Sequence, residues 1–191
     1  MIAKNLRPAI GLLLLMTVMC GLAYPLAITG IARLAFPSLA AGSLIYSNGT
    51  PIGSRLIGQS FAEAKYFWGR PSATTPQPYN AVGSTGSNLG PLNPALIDRI
   101  NDSVKRLGQA DPGDRKPIPV DLVTSSASGL DPDISLAAAS YQVPRVARVR
   151  GLPVGDVQRL VSAHARGRAL GFLGEPRVNV LELNLALDGR H

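Results

Sequence analysis

Cysteine and histidine are nearly missing from this 191-residue chain: Cys20 stands alone, and His164 and His191 are the two histidines. One cysteine excludes a disulfide framework, so the part beyond the N-terminal segment relies on its own core. Two histidines, one of them terminal, leave too few ligands for a zinc or transition-metal centre. Aromatics are sparse as well, with one Trp, five Tyr and four Phe. Basic residues are interspersed with acids, and their densest group is Arg145, Arg148 and Arg150. A nucleic-acid groove needs a basic track with stacking rings, so that class is excluded and the arginine trio reads as a solvated helix face.

Several catalytic signatures are absent too. The run Gly83-Ser84-Thr85-Gly86-Ser87 looks like a phosphate cradle, yet no Gly-Lys-Ser/Thr follows to meet the outer phosphates. No Gly-x-Ser-x-Gly elbow occurs, and a triad would rest on His164 alone. Asp131-Pro132-Asp133 lacks the remainder of a calcium loop and reads as a turn and cap.

Charge is missing from Pro8 to Ala32, an apolar stretch between Lys4/Arg7 and Arg33. About 20 helical residues cross a ~30 Å hydrocarbon core, so this stretch spans a membrane. The alternative is a cleaved signal peptide with Ser38, Leu39 and Ala40 as its processing site. Ordinary h-regions run only ~7–15 residues, which favours a retained anchor. Basic flanking residues stay on the cytoplasmic side, so the N-terminus is expected inside and the following domain outside. Pro25 predicts a kink or change of helix direction, and Gly11, Thr17, Gly21 and Gly30 offer small residues for helix contact.

The expected organisation is a tail and anchor over 1–36 and one compact extracytoplasmic α+β domain over 37–191. Removing Lys4, Arg7 and Arg33 from the net charge of +7 leaves 16 basic against 12 acidic residues in that domain. Asn48-Gly49 and Gly53-Ser54 punctuate a hairpin-like pair of strands between Leu44 and Ile57. From Tyr66 to Pro94 runs a long loop carrying Tyr66, Phe67, Trp68 and Tyr79. Asn93-Pro94 starts a helix with Leu96, Ile97, Ile100, Val104 and Leu107 at helical spacing up to Gly108. Val120 to Thr124 reads as a short strand. Ser135 caps a short helix through Tyr141, Pro144 interrupts it, and Arg145–Arg150 forms a further turn ending at Gly151. Val154–Ala165 is a second helix, and Arg177–Leu187 alternates like a half-buried strand.

The runs Leu56-Ile57-Gly58-Gln59-Ser60-Phe61, Tyr66-Phe67-Trp68-Gly69-Arg70-Pro71-Ser72-Ala73, Ser87-Asn88-Leu89-Gly90 and Ser128-Gly129-Leu130-Asp131-Pro132 carry a resemblance. So do Tyr141-Gln142-Val143-Pro144-Arg145-Val146-Ala147 and Gly174-Glu175-Pro176-Arg177-Val178-Asn179-Val180-Leu181. Together they resemble the C subunit of the Kdp potassium-transporting P-type ATPase, in order and over nearly the whole chain. Two departures are Thr85, where that family usually has glycine, and Asp133, where histidine is common.

The resemblance implies a non-catalytic accessory subunit of an ATP-driven, high-affinity potassium import complex in the bacterial inner membrane. Its implied partners are a channel-like subunit, a P-type ATPase subunit and a small single-span subunit, with membrane lipid around the anchor. The chain lacks the Asp-Lys-Thr-Gly phosphorylation motif of P-type pumps. It is expected to hold no cofactor of its own, with ATP reaching it through the pump subunit. The resemblance also implies a role in raising the pump's ATP affinity, and Gln142 with Arg145 is the matching nucleotide-contact candidate. The competing reading is that both side chains satisfy a helix break at Pro144. Tyr66, Phe67, Trp68, Tyr79 and Asn88 are the candidate interface residues, unless the aromatics pin the loop to their own domain. A membrane-anchored binding or enzymatic domain acting independently of a pump is the alternative function.

Overall fold

The computed structural model describes residues 2–189, which fall into two compact units divided between Leu44 and Ile45. The first unit is helical. Helix α1 (Ile2–Met16) runs into a π-helical stretch, Thr17–Ala23, and on into α2 (Tyr24–Ala35). Tyr24 donates its amide to Met19 O, five residues back, immediately before Pro25 at the start of α2. Proline donates no backbone hydrogen bond and crowds the preceding turn, and a widened turn is one way to admit it. The proline is thus met by a change of helix type. The segment Lys4–Ala35 is long and apolar enough to cross a membrane, and the protein covers none of it. A four-residue turn, α3 (Pro37–Ala40), closes the unit.

The second unit is α+β. Strands β1 (Leu44–Ser47) and β2 (Thr50–Ser54) form a two-stranded sheet. Asn48 and Gly49 join them with φ of 51° and 78°, the paired left-handed angles of a type I′ turn. The returning strand is Thr50–Ser54, earlier than the apolar pair Leu56-Ile57 indicated. An irregular stretch follows as far as Asn93, whose side chain accepts the Ala95 amide and caps α4 (Pro94–Ala110). Of the spaced apolar residues in α4 only Leu107 is buried, while Ile97 and Val104 remain 51% and 42% exposed.

The expected strand at Val120 is instead a 3-10 turn, Val120–Leu122. The Leu122 amide bonds Pro119 O and the Thr124 hydroxyl bonds Val120 O, so the backbone closes on itself rather than on a neighbour. Strand β3 (Asp133–Ser135), β4 (Ala165–Arg166) and β5 (Arg177–Asn179) form an antiparallel sheet in the order β3-β5-β4. Ile134 faces Val178 across the ladder. Helices α5 (Leu136–Arg150) and α7 (Val180–Leu187) pack against this small sheet, and α6 (Val154–Ala163) packs on both of them.

Two expectations fail here for identifiable reasons. Helix α5 does not break at Pro144. Ser135 caps it through the Ala138 amide, Gly151 ends it at φ 65°, and Ala138, Ala139, Gln142, Val143, Arg145, Val146 and Ala147 are buried on both sides of the proline. Burial of that face outweighs one lost ladder bond.

Residues 177–187 are a strand only as far as Asn179. The Asn179 side chain then accepts the Glu182 amide, an N-cap, and α7 begins. Buried Val180, Leu181, Leu183 and Asn184 sit at helical spacing, which the every-second-residue leucines had masked. The core joins these helices to the loop and sheet through Phe67, Leu122, Ile134, Val143, Val157 and Leu183.

Candidate functional site

Gln142 lies in the middle of α5 with only 1% of its surface exposed. A buried primary amide needs partners on both of its heads, and here a distant backbone supplies them. Trp68 N–H donates to Gln142 Oε1 at 2.8 Å, and Gln142 Nε2 donates back to Trp68 O at 3.1 Å. The second Nε2 hydrogen reaches Ala138 O at 3.3 Å, and Oε1 also accepts Arg145 Nη2 at 2.6 Å. All four hydrogen-bonding positions of the amide are occupied.

Arg145 is 2% exposed. Besides Gln142 it donates to Ala64 O, and its guanidinium lies 4.4 Å from the centre of the Trp68 ring. Arg106, from α4, lies 4.7 Å from the same ring. Burial pushes the Arg145 pKa down to about 10, partly offset by Asp111, and the group stays cationic at neutral pH. The ring face, the carbonyl and the amide together replace the water that the cation gives up.

The neighbouring residue is held in the same manner. Phe67 N–H donates to Asn184 Oδ1 at 2.8 Å, and Asn184 Nδ2 returns a bond to Phe67 O at 2.9 Å. Tyr66 completes the triplet, donating its hydroxyl to Asp188 at 2.9 Å, with the Arg150 guanidinium 5.1 Å from its ring centre. Arg150 also binds Lys65 O, Leu187 O and Asp188. The arginine trio is therefore not a solvated face. Arg145 and Arg150 clamp the 63–68 segment, and only Arg148, paired with Asp111 at 3.0 Å, is largely exposed.

Within this chain Phe67 is fully buried and Trp68 5% exposed. Tyr79 is half-buried at φ 57°, donating its hydroxyl to Arg70 O at 2.6 Å, and burial pushes its pKa up to about 12. Its ring passes where a side chain on Gly58 would stand, and its hydroxyl where one on Gly69 would. Asn88 is exposed, at φ 51°. The structure thus brings Gln142, Arg145, Phe67 and Trp68 into one network and leaves Asn88 outside it. Asn184 and Asn179 are not among the candidate site residues of the sequence, and Arg150 reads there only as part of a solvated helix face. A lone amide inside the leucine run Leu183-Asn184-Leu185 was the available sign, since apolar surroundings oblige an amide to find partners.

A cleft of about 260 Å³ opens beside the network, lined by Trp68, Arg70, Tyr79, Asp102, Ser103 and Arg106 among others. Gln142 and Arg145 are not among its lining residues. Among the described residues no group of three or more His, Cys, Asp or Glu is placed to hold a metal ion. His164 turns Nδ1 to Leu160 O at 2.9 Å, a local helix-end contact.

The family described as "K+-transporting ATPase, c chain" matches residues 6–189. Curated relatives agree. A potassium-transporting ATPase KdpC subunit of Variovorax paradoxus (strain S110) is 62% identical over 183 residues, covering 96% of this chain and 95% of the relative. The KdpC subunit of Methylibium petroleiphilum is 60% identical, covering 97% of each chain. That of Herminiimonas arsenicoxydans is 56% identical, covering 98% of this chain and 99% of its own length.

Proposed function

This chain belongs to the KdpC family, the c chain of the K+-transporting ATPase, and from that premise we propose that it is a non-catalytic accessory subunit of an ATP-driven potassium import complex. The observation that carries this reading is the one helix of membrane-spanning length among the described residues, Lys4–Ala35, on a chain that matches the family from residue 6 to 189. The anchor holds the subunit in the bacterial inner membrane with its N-terminus inside. The α+β domain stands outside, over the potassium entrance of a channel-like subunit, and stabilises the assembly with the P-type ATPase and small single-span subunits.

Uncovered apolar side chains support assembly. Val82, Leu92, Ile97 and Val120 are 97%, 92%, 51% and 70% exposed, apolar side chains that a partner subunit would cover. Asn88, Tyr79 and Tyr66 are the polar and aromatic contacts offered, while Phe67 and Trp68 act from within by fixing the loop. An influence on the pump's affinity for ATP is assigned to contact between subunits. Gln142 has no hydrogen-bonding position left for a nucleotide, and Arg145 is enclosed.

The test is cysteine accessibility in intact cells. In a Cys20→Ser background, single cysteines at Ala3 and Val82 are exposed to a maleimide that cannot cross the inner membrane. Labelling at position 82 alone is the expected result. Labelling at position 3 alone reverses the topology and removes the external cap. Titration of the purified chain with ATP, with no heat expected, separately tests the assignment of Gln142.

A further inference from the structure

Residues 166–175 form an unbroken exposed stretch between β4 and β5. Its tip is ordered by its own backbone: the Ala169 amide donates to Leu173 O at 2.8 Å, and the Leu173 amide donates to Ala169 O at 2.9 Å. Outward from this closed pair project Leu170, Phe172 and Leu173, which are 82%, 69% and 50% exposed. From Ala169 to Gly174 no residue carries a charge.

The turn itself is costly as built. Leu170 and Gly171 have φ of 53° and 82°, the same pair of signs as Asn48 and Gly49 in the first hairpin. Asparagine and glycine tolerate the left-handed region, whereas leucine is disfavoured there. The chain therefore carries a large apolar side chain at a position that is both strained and solvated, and neither cost is met by contacts within the domain.

We propose that the hairpin tip Leu170–Leu173 inserts into the surface of a lipid bilayer, as a second, shallow contact of the domain with the membrane. The inference rests on the anchored reading above. Nine residues lie between Ala35 and Ile45, so at ~3.5 Å per Cα–Cα step the domain begins within ~35 Å of the end of the span. An anchored domain is thus tethered near a bilayer.

The outline of the tip favours lipid over a protein partner. An ordinary protein interface takes roughly 800 Å² from each side, more than a four-residue wedge presents, while fluid lipid closes around any outline. Behind the apolar tip stands a ring of charge: Arg166–Glu182 at 2.6 Å, Arg168–Glu175 at 2.9 Å and Arg177–Asp133 at 2.8 Å. These arginines are 45–46% exposed, so headgroup phosphates can meet the guanidinium donors that the carboxylates leave unused while the apolar side chains lie at the acyl boundary.

The experiment uses the full chain in vesicles of phosphatidylethanolamine and phosphatidylglycerol, with and without brominated acyl chains that quench tryptophan. The native Trp68, buried in the domain, gives the background signal. Phe172→Trp is expected to add emission that brominated lipid quenches about two-fold, as for a ring ~5–10 Å inside the interface. Leu173→Trp serves as a second reporter if the first perturbs the turn. Ile28→Trp reports the anchor. Quenching at position 28 with none at 172 or 173 overturns the tip contact and leaves the anchor standing. Absence of quenching at all three overturns both. Leu170→Asn, which suits the turn, is expected to leave thermal stability unchanged or higher while reducing quenching at 172. Unreduced quenching in that variant removes Leu170 from the contact.

Discussion

Asn184 pairs with Phe67 as one strand residue pairs with another, giving and receiving a backbone hydrogen bond across 117 positions of sequence. Gln142 does the same for Trp68, so two helices present side-chain amides where a sheet would present a neighbouring strand. The segment carrying the aromatic triplet is thereby ordered without belonging to any sheet.

Truncating Gln142 to alanine strands the Trp68 amide, the Trp68 carbonyl and part of Arg145. Each buried group left unpaired costs about 1–3 kcal/mol, so a total destabilisation of about 2–4 kcal/mol is expected, allowing for some entry of water. Thermal melting of the chain in detergent, followed by Trp68 fluorescence, measures it. A melting temperature equal to that of the wild type would show that the amide is dispensable.

Tyr79 should be among the last tyrosines to ionise. Its folded pKa of about 12 lies above the ordinary 10.0, with burial the main cause. The fold then keeps a proton that the unfolded chain releases. Stability from this group is fully present below pH 10 and is lost as pH rises towards 12, by about 2 kcal/mol. An ultraviolet titration of tyrosinate should lose its uppermost step in Tyr79→Phe. If the missing step lies near pH 10 instead, the ring is not shielded as described.

Gly58→Ala should be poorly tolerated, because the new methyl would stand 2.7 Å from Asp131 O and inside the Tyr79 ring. Overpacking against a backbone carbonyl costs about 1–3 kcal/mol or more. The expected signature is a lower melting temperature that Tyr79→Ala partly restores, since it vacates the space. No restoration in the double variant would place the clash elsewhere.

Asn179 has two duties that separate by substitution. Its Oδ1 caps α7 through the Glu182 amide, and its Nδ2 donates to Arg55 O at 2.9 Å. Asn179→Ser keeps a capping oxygen and loses the second, while Asn179→Ala loses both. Alanine is therefore expected to cost more than serine by the value of a cap, about 1 kcal/mol. Equal melting temperatures for the two variants would remove the cap from the account.

What could be read from the sequence was what local chemistry dictates. The apolar stretch Pro8–Ala32, the Asn48-Gly49 turn, the Asn93-Pro94 helix start and the Ser135 cap each announce themselves within a few residues, and each is present. Leu181, Leu183, Leu185 and Leu187 misled because a period of two over so short a run also satisfies a buried helix. Asn179 with Glu182 three places on was the deciding cue. The Gln142 network was not legible because its partner lies 74 positions away and is a backbone group, which leaves no residue pattern to recognise. Arg145 looked like surface charge for the same reason: besides Gln142 on its own helix, its enclosure comes from the distant Trp68 and Ala64.

The π-helical stretch Thr17–Ala23 alters how the span can be read by a neighbouring helix. Each residue added to a helical turn rotates everything beyond it by about 100° relative to an unbroken α-helix. Gly11 lies before the stretch and Gly30 after it, so counting by 3.6 from one to the other assigns the wrong azimuth. A partner lying along the whole anchor meets two separately phased surfaces, joined at Thr17–Ala23. Cross-linking scans of the two halves should accordingly follow two independent sine waves, with the break between them at Pro25 and the turn before it.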